Sequence, residues 1–148
     1  MALLTTYLTN PIKETPMDLK DFTPKSDEIV VTIKHPVTKE PLLNDDGTPM
    51  TITLFAQHSK DYKKVQRQLI SERLKEAQAS GSTELDYEKL EDAAMDLMVK
   101  TTKAWDITFD GKKPKLTEAK ARQIYDEVFW IKAQIEEAVA DSLDFMKA

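Results

Sequence analysis

The chain has 148 residues, of which 41% are hydrophobic and 32% charged, a composition typical of one globular domain. Its formal net charge of −5 at pH 7 argues against a nucleic-acid-binding protein, which would carry a basic surface. The absence of cysteine excludes disulfides and thiolate chemistry, and a reducing cytoplasm suits such a chain.

Residues 1–25 are predicted to form an extended or flexible arm. They contain Pro11, Pro16 and Pro24, which remove hydrogen-bond donors and restrict the residues before them. The arm could dock onto a partner through its apolar residues, or it could cover the core or fray. The chain begins without the pattern of a signal peptide and contains no apolar run of membrane-spanning length. We therefore expect the protein to stay in the cell that makes it.

Residues 28–56 are predicted to form a β-hairpin. A run of alternating, β-branched residues begins at Glu28 and ends before Pro36, which cannot donate to a strand ladder. A second alternating run extends from Met50 to Ala56. The acidic Asn-Asp-Asp-Gly loop between them lacks the aspartate register and the distal glutamate of a calcium loop, so no metal site is predicted.

Two helices are predicted next, over residues 59–80 and 85–103. Ser59 can cap the first helix, because its hydroxyl can accept a hydrogen bond from an unpaired N–H of the first turn. Gly81 and the small polar residues after it separate the two helices. Both helices carry apolar residues at the three- and four-residue spacing of a buried stripe.

The last third of the chain is predicted to form a turn followed by one long helix. Asp110-Gly111 is typical of a turn, because glycine adopts positive φ without steric cost, and Thr117 is a good N-cap. The helical pattern then continues over residues 117–146, a rod of roughly 45 Å. We therefore predict a single α+β domain over 26–148 that is mainly α-helical, with the β-hairpin followed by three helices, the last one long and C-terminal.

No catalytic or metal-binding motif is recognisable. The two histidines, His35 and His58, are isolated in sequence, and no nucleophile-elbow, zinc-protease or phosphate-loop pattern occurs. The many carboxylates lie on predicted helix faces, where solvated charge is the ordinary arrangement. We therefore expect no cofactor, no metal and no catalytic residue, and do not expect an enzyme.

The turn and helix at the C-terminal end carry a resemblance to a known family. Trp105 precedes the short turn, Leu116-Thr117-Glu118-Ala119 follows it, and the helix ends with the stretch from Ile135 to Phe145. These roughly 45 residues resemble the C-terminal part of the tail assembly chaperones of long-tailed bacteriophages.

The resemblance implies a non-catalytic protein of the host cytoplasm that binds the phage tape measure protein. It would keep that protein soluble, help to recruit major tail tube subunits, and be absent from the mature virion. The alternative from a different class is a structural tail or head–tail joining protein that is retained in the virion.

Aromatic residues are the candidate partner-binding residues. On a continuous helix Trp130 falls nearly opposite the apolar stripe, and Phe129 lies on its flank. Trp130 is either covered by the N-terminal arm or another helix, or exposed as an anchor for the tape measure protein. The family pattern of a tryptophan before the turn and a late phenylalanine adds Trp105 and Phe145.

The charges of the predicted long helix run against its dipole, with basic residues at its start and acidic residues at its end. Tertiary packing could simply tolerate this arrangement. Alternatively, the basic start in one copy meets the acidic end in another, a head-to-tail contact that builds rings or open strands. The candidate self-association residues are Lys112, Lys113, Lys115, Arg122, Glu136, Glu137, Asp141 and Asp144.

Overall fold

A computed structural model of the chain describes residues 18–24, 26–81 and 87–142. Most of the predicted N-terminal arm lies outside these ranges. The part that is described contains a short 3-10 turn, Leu19–Phe22, in which the Asp18 carboxylate accepts a hydrogen bond from the Lys20 N–H. None of the helices in the described ranges is both long enough and apolar enough to cross a membrane.

Three antiparallel strands form one sheet in the order β1-β2-β3. Strand β1 is Glu28–Thr32, β2 is Thr51–Phe55 and β3 is Thr102–Asp106. The first two are the strands of the predicted hairpin, and their register places Val31 opposite Ile52. Because directly opposite residues of an antiparallel pair point to the same face of the sheet, Val31 and Ile52 share a face, and both are buried.

Strand β3 corrects the sequence interpretation, which extended a helix to residue 103 and predicted no strand at Trp105. The helix ends at Lys100, and the hydroxyls of Thr101 and Thr102 donate to carbonyls of its last turn at 2.6 and 2.8 Å. The chain then pairs with β2, which lies some fifty residues earlier in the sequence. A pairing between segments so distant leaves no local pattern from which it could be predicted.

Two consecutive helices follow β2, α1 (Lys60–Ser80) and α2 (Tyr87–Lys100). The predicted cap is confirmed, since Ser59 Oγ accepts from the Tyr62 N–H at 3.1 Å. Gly81 ends α1 in the left-handed conformation, with φ of +68°. Helix α1 packs mainly against α2 rather than against the sheet.

The predicted long helix is divided into two, α3 (Glu118–Glu127) and α4 (Trp130–Asp141), and residues 143–148 lie outside the described ranges. The break is at Val128, whose φ of −99° and ψ of +65° are not helical. A straight rod of roughly 45 Å would overshoot five-residue strands, which are about 17 Å long. Two shorter helices can pack differently: α3 lies mainly against α2, and α4 lies against β1.

The core lies between one face of the sheet and helices α2, α3 and α4. Tyr125 is its largest fully buried side chain. Its hydroxyl bonds to Thr102 Oγ1 at 2.6 Å, and Tyr125 is the donor because the Thr102 hydroxyl donates to Met98 O. The buried cluster consists of Val31, Ile33, Ile52, Leu54, Met95, Val99, Ile107, Ala121, Ile124, Tyr125, Ile131 and Ile135. The predicted α+β fold, mainly helical and ending in a helix, is confirmed.

Candidate protein-binding surfaces

Within the described ranges, no group of three or more His, Cys, Asp or Glu side chains is placed to hold a metal ion. The two histidines have separate local partners. His35 Nδ1 accepts from the N–H groups of Val37 and Thr38 at 3.1 and 3.2 Å, and His58 Nε2 lies 3.3 Å from an Asp27 carboxylate oxygen.

A buried asparagine joins the β1–β2 loop to the segment after β3. Asn44 Oδ1 accepts from Thr108 Oγ1 at 2.6 Å, and Asn44 Nδ2 donates to Asp106 Oδ1 at 3.3 Å. The acidic loop that could suggest a calcium site therefore uses its asparagine to hold two distant segments together.

An ion-pair cluster lies beside this asparagine. The Lys113 ammonium is 3.1 Å from a carboxylate oxygen of Asp46 and 3.1 Å from one of Asp106. Hydrogen bonds from Thr48, reinforced by Lys113, lower the pKa of Asp46 to about 2. The two carboxylates in turn raise the pKa of Lys113. Lys113, a candidate self-association residue, is thus engaged within its own chain.

Trp105 has an internal structural role. It lies in β3, half-buried against the core, and its indole N–H donates to the Pro114 carbonyl at 2.9 Å. This bond closes the turn that contains Asp110 and Gly111, both with positive φ. The proposed part of Trp105 in partner binding stays a prediction.

Phe129 and Trp130 have different environments, although they are adjacent. Trp130 is half-buried and packs against the core cluster, whereas Phe129 exposes 72% of its surface. The break at Val128 invalidates a helical wheel drawn through both residues. Of the two interpretations of Trp130, the structure favours packing within the monomer. Phe129 remains a candidate contact, and Phe145 lies outside the described residues.

The predicted self-association charges do not belong to one helix. Lys112 and Lys115 are exposed and precede α3, and Arg122 forms an ion pair with Asp96. The described acidic candidates lie instead on α4, which has its own N-terminus at Trp130. The proposed conflict with a single helix dipole is therefore absent. The exposed acidic candidates are Glu136, Glu137 and Asp141, while Asp144 lies outside the described residues.

The sequence interpretation missed an apolar surface on the α1–α2 pair. Ile70 and Leu74 are 53% and 60% exposed, and being four residues apart they are neighbours on one face of α1. Tyr87 and Leu90, three residues apart on α2, are also exposed. We call these four residues the α1–α2 apolar surface. The signal in the sequence is Ile70, which directly follows buried Leu69 and cannot share its side of the helix.

Basic side chains flank the α1 half of this surface. Lys63 and Arg67 are exposed and lie seven and three residues before Ile70, which places all three along one side of the helix. This side of α1 is basic in a chain whose net charge is −5.

No family model, curated protein or solved structure matches this chain. Two features of the chain bear on its function: the resemblance of the C-terminal turn and helix, and the surfaces described above.

Proposed function

We propose that this chain is a tail assembly chaperone of a long-tailed bacteriophage. It would be a non-catalytic protein of the host cytoplasm that binds the tape measure protein, keeps it soluble and helps to recruit major tail tube subunits. The single structural observation that supports this proposal best is the α1–α2 apolar surface. The resemblance that begins at Trp105 supports it independently.

The proposed partner is an elongated protein with apolar helical faces. Such a partner would aggregate as long as its apolar faces are exposed, before tube subunits bind to them. A chaperone must therefore bind these faces reversibly through apolar side chains of its own. Ile70 and Leu74 are spaced to contact apolar residues of an amphipathic helix. Exposed Lys63 and Arg67 favour a partner helix with acidic residues beside its apolar face.

Helix α1 can carry this surface at little cost to the fold. Of its 21 residues only Leu69 is buried, and its ends are held by local caps. Substitutions at Ile70 and Leu74 should therefore change binding and leave the core intact.

The test is co-expression of the chain with the tape measure protein encoded by the same phage. Ile70→Glu combined with Leu74→Glu should abolish co-purification and move the tape measure protein to the insoluble fraction, with Tm nearly unchanged. Each lost apolar anchor is expected to cost about 2 kcal/mol of binding free energy. The matched control is Gln68→Glu with Ala79→Glu, which adds the same charge at exposed positions on another side of α1.

Two results would contradict the proposal. One is equal loss of the tape measure protein with the control variant, which would indicate a charge effect rather than an apolar contact. The other comes from mass spectrometry of purified virions. Finding the chain there in stoichiometric amount would favour the alternative, a structural tail or head–tail joining protein.

A further inference from the structure

Strand β1 forms an edge of the sheet. Among the described strands it pairs with β2 alone. The Ile33 N–H donates to the Met50 carbonyl at 2.9 Å on the β2 side. Because backbone groups alternate in direction along an antiparallel strand, those of Val30 and Thr32 point away from β2. Within the described ranges these two residues therefore present unpaired donors and acceptors at the edge.

At Lys34, the next outward-facing residue of this edge, the Gln134 side chain of α4 makes the hydrogen bonds that a neighbouring strand would make. Gln134 Oε1 accepts from the Lys34 N–H at 2.9 Å, and Gln134 Nε2 donates to the Lys34 carbonyl at 2.7 Å. The carboxamide thus satisfies both backbone groups that a neighbouring strand would otherwise satisfy. Val30 and Thr32 have no equivalent partner in the part of the chain that the structure describes.

A groove of about 700 Å³ lies between this edge and α4. Such a volume is within the range of roughly 300–1,000 Å³ found for ligand-binding clefts. Val30 and Thr32 line the strand side, and Ala138 lines the helix side. Ala138 is the smallest side chain of the helix wall.

Charges of opposite sign line different parts of the groove. Lys34 and Lys39 lie where Gln134 closes the edge. Glu137 and Asp141 line the groove about one and two helical turns further along α4. An occupant should therefore carry a basic side chain towards the two carboxylates and, at its other end, an acidic one towards the lysines.

We propose that the groove binds an extended segment of a partner protein by strand addition. The backbone of this segment pairs with Val30 and Thr32, and a basic side chain of the segment contacts Glu137 and Asp141. The proposal does not rest on the chaperone function, because the groove and the α1–α2 apolar surface lie on different elements.

Charge disfavours two other occupants. A second copy that added its own β1 would bring a second α4, and would set its Glu137 and Asp141 against the same carboxylates of the first copy. Residues 1–17 of the chain itself contain one lysine, Lys13, directly followed by Glu14, so they do not carry a basic and an acidic side chain at opposite ends of an extended segment.

The probe is a synthetic peptide of nine residues that alternates valine and threonine, with lysine near one end and glutamate near the other. It is made in both orders of charge and added to the isotope-labelled full chain. NMR should show shifts and slower hydrogen exchange at the amides of Val30 and Thr32, with one order of charge preferred. Failure of both peptides to bind at millimolar concentration would overturn the proposal.

Backbone pairing is tested with two N-methylated forms of the bound peptide. One form is methylated at the amides of its odd-numbered residues, and the other form at the amides of its even-numbered residues. Only one set of amides faces β1, so one form should bind like the parent and the other should lose binding by tenfold or more, roughly the effect of one or two hydrogen bonds. Equal binding of the two forms would exclude strand addition.

Two variants of the protein test the two sides of the groove. Thr32→Pro removes an N–H that points outward, so the pairing of β1 with β2 survives while peptide affinity falls about tenfold. Glu137→Lys with Asp141→Lys should weaken the preferred peptide about tenfold and reverse the preferred order of charge. Both variants should keep the Tm of the parent. Unchanged affinity in both would contradict the proposal.

The same spectra identify the other occupants. Slow exchange at Val30 and Thr32 without peptide, lost when residues 1–17 are deleted, would assign the edge to the chain's own segment. Slow exchange that grows with protein concentration would assign it to a second copy. Either result overturns the proposal of a partner segment.

Discussion

Helices α1 and α4 are stabilised by different means. Helix α1 has 21 residues, bounded by the Ser59 cap and by Gly81 in the left-handed conformation, and it buries only Leu69. Helix α4 has 12 residues and begins without a side-chain cap, yet it buries Ile131 and Ile135 in the core. The longer helix is supported by local interactions, and the shorter one by tertiary packing.

This difference explains which surfaces are available to bind another protein. Helix α1 contributes little to the core, so apolar residues such as Ile70 and Leu74 can stay exposed without loss of the fold. Helix α4 is held against β1, so the groove beside it has a fixed wall. The two candidate binding surfaces therefore differ in character: one is a peripheral helix face and the other a cleft of the folded core.

The largest expected effect separates the two helices directly. Ile135→Ala should lower the free energy of unfolding by about 3 kcal/mol, because it leaves a cavity in a fully buried cluster. Leu69→Ala should cost less than half of this, because its peripheral site between two helices can collapse. Urea denaturation of both variants provides the comparison. Equal costs would show that α1 is as integrated as α4.

The second prediction concerns high pH and the core side of the molecule. Burial raises the pKa of Tyr125 from its ordinary value of 10.0 to about 12. The unfolded chain loses this proton first, so stability is full below pH 10 and decreases by about 2–3 kcal/mol as the pH rises to 12. Tyr125→Phe should lack this part of the pH dependence.

The same substitution at neutral pH should cost only about 1 kcal/mol, the value of one hydrogen bond. Thr102 keeps its hydrogen bond to the Met98 carbonyl, so no donor is left unpaired. Identical decreases in the stability of the parent and of Tyr125→Phe between pH 10 and 12 would contradict the assignment.

The third prediction tests the local support of α1. Ser59→Ala removes the acceptor for the Tyr62 N–H and should cost about 1 kcal/mol. Hydrogen exchange should become faster in the first turn of α1 and stay unchanged in α4. Ile70→Ala is the control on the exposed face and should change stability by less than about 0.5 kcal/mol.

The smallest expected effect is that of the exposed ion-pair cluster. The pKa of Asp46 is lowered from 3.8 to about 2, so its contribution to stability is present above pH 3.8 and is lost as the pH falls towards 2. Asp46→Asn should show a flatter acid limb in thermal unfolding than the parent. High salt should reduce the difference between them, since both Asp46 and Lys113 are exposed.

Local chemistry in the sequence was sufficient for several elements. The alternation of apolar and polar residues predicts the two hairpin strands, and Ser59 and Gly81 predict the two ends of α1. Thr117 predicts the start of α3, and its hydroxyl accepts from the Lys120 N–H at 3.1 Å. Each of these depends on residues that are close in the chain. The α+β class followed from their order.

Tertiary structure decided the features that depend on distant residues. Strand β3 exists because it can pair with β2. The helix breaks at Val128, without glycine or proline, and the two halves then pack on different elements, α3 mainly on α2 and α4 on β1. That break also determines that Trp130 is half-buried while Phe129 is exposed. The edge of β1, which has no strand partner among the described residues, follows only from the sheet order and the position of α4. The sequence alone determines the hydrogen bonds that form between residues close in the chain, as in caps and turns. Which side chains are buried depends on how distant elements pack together in the core.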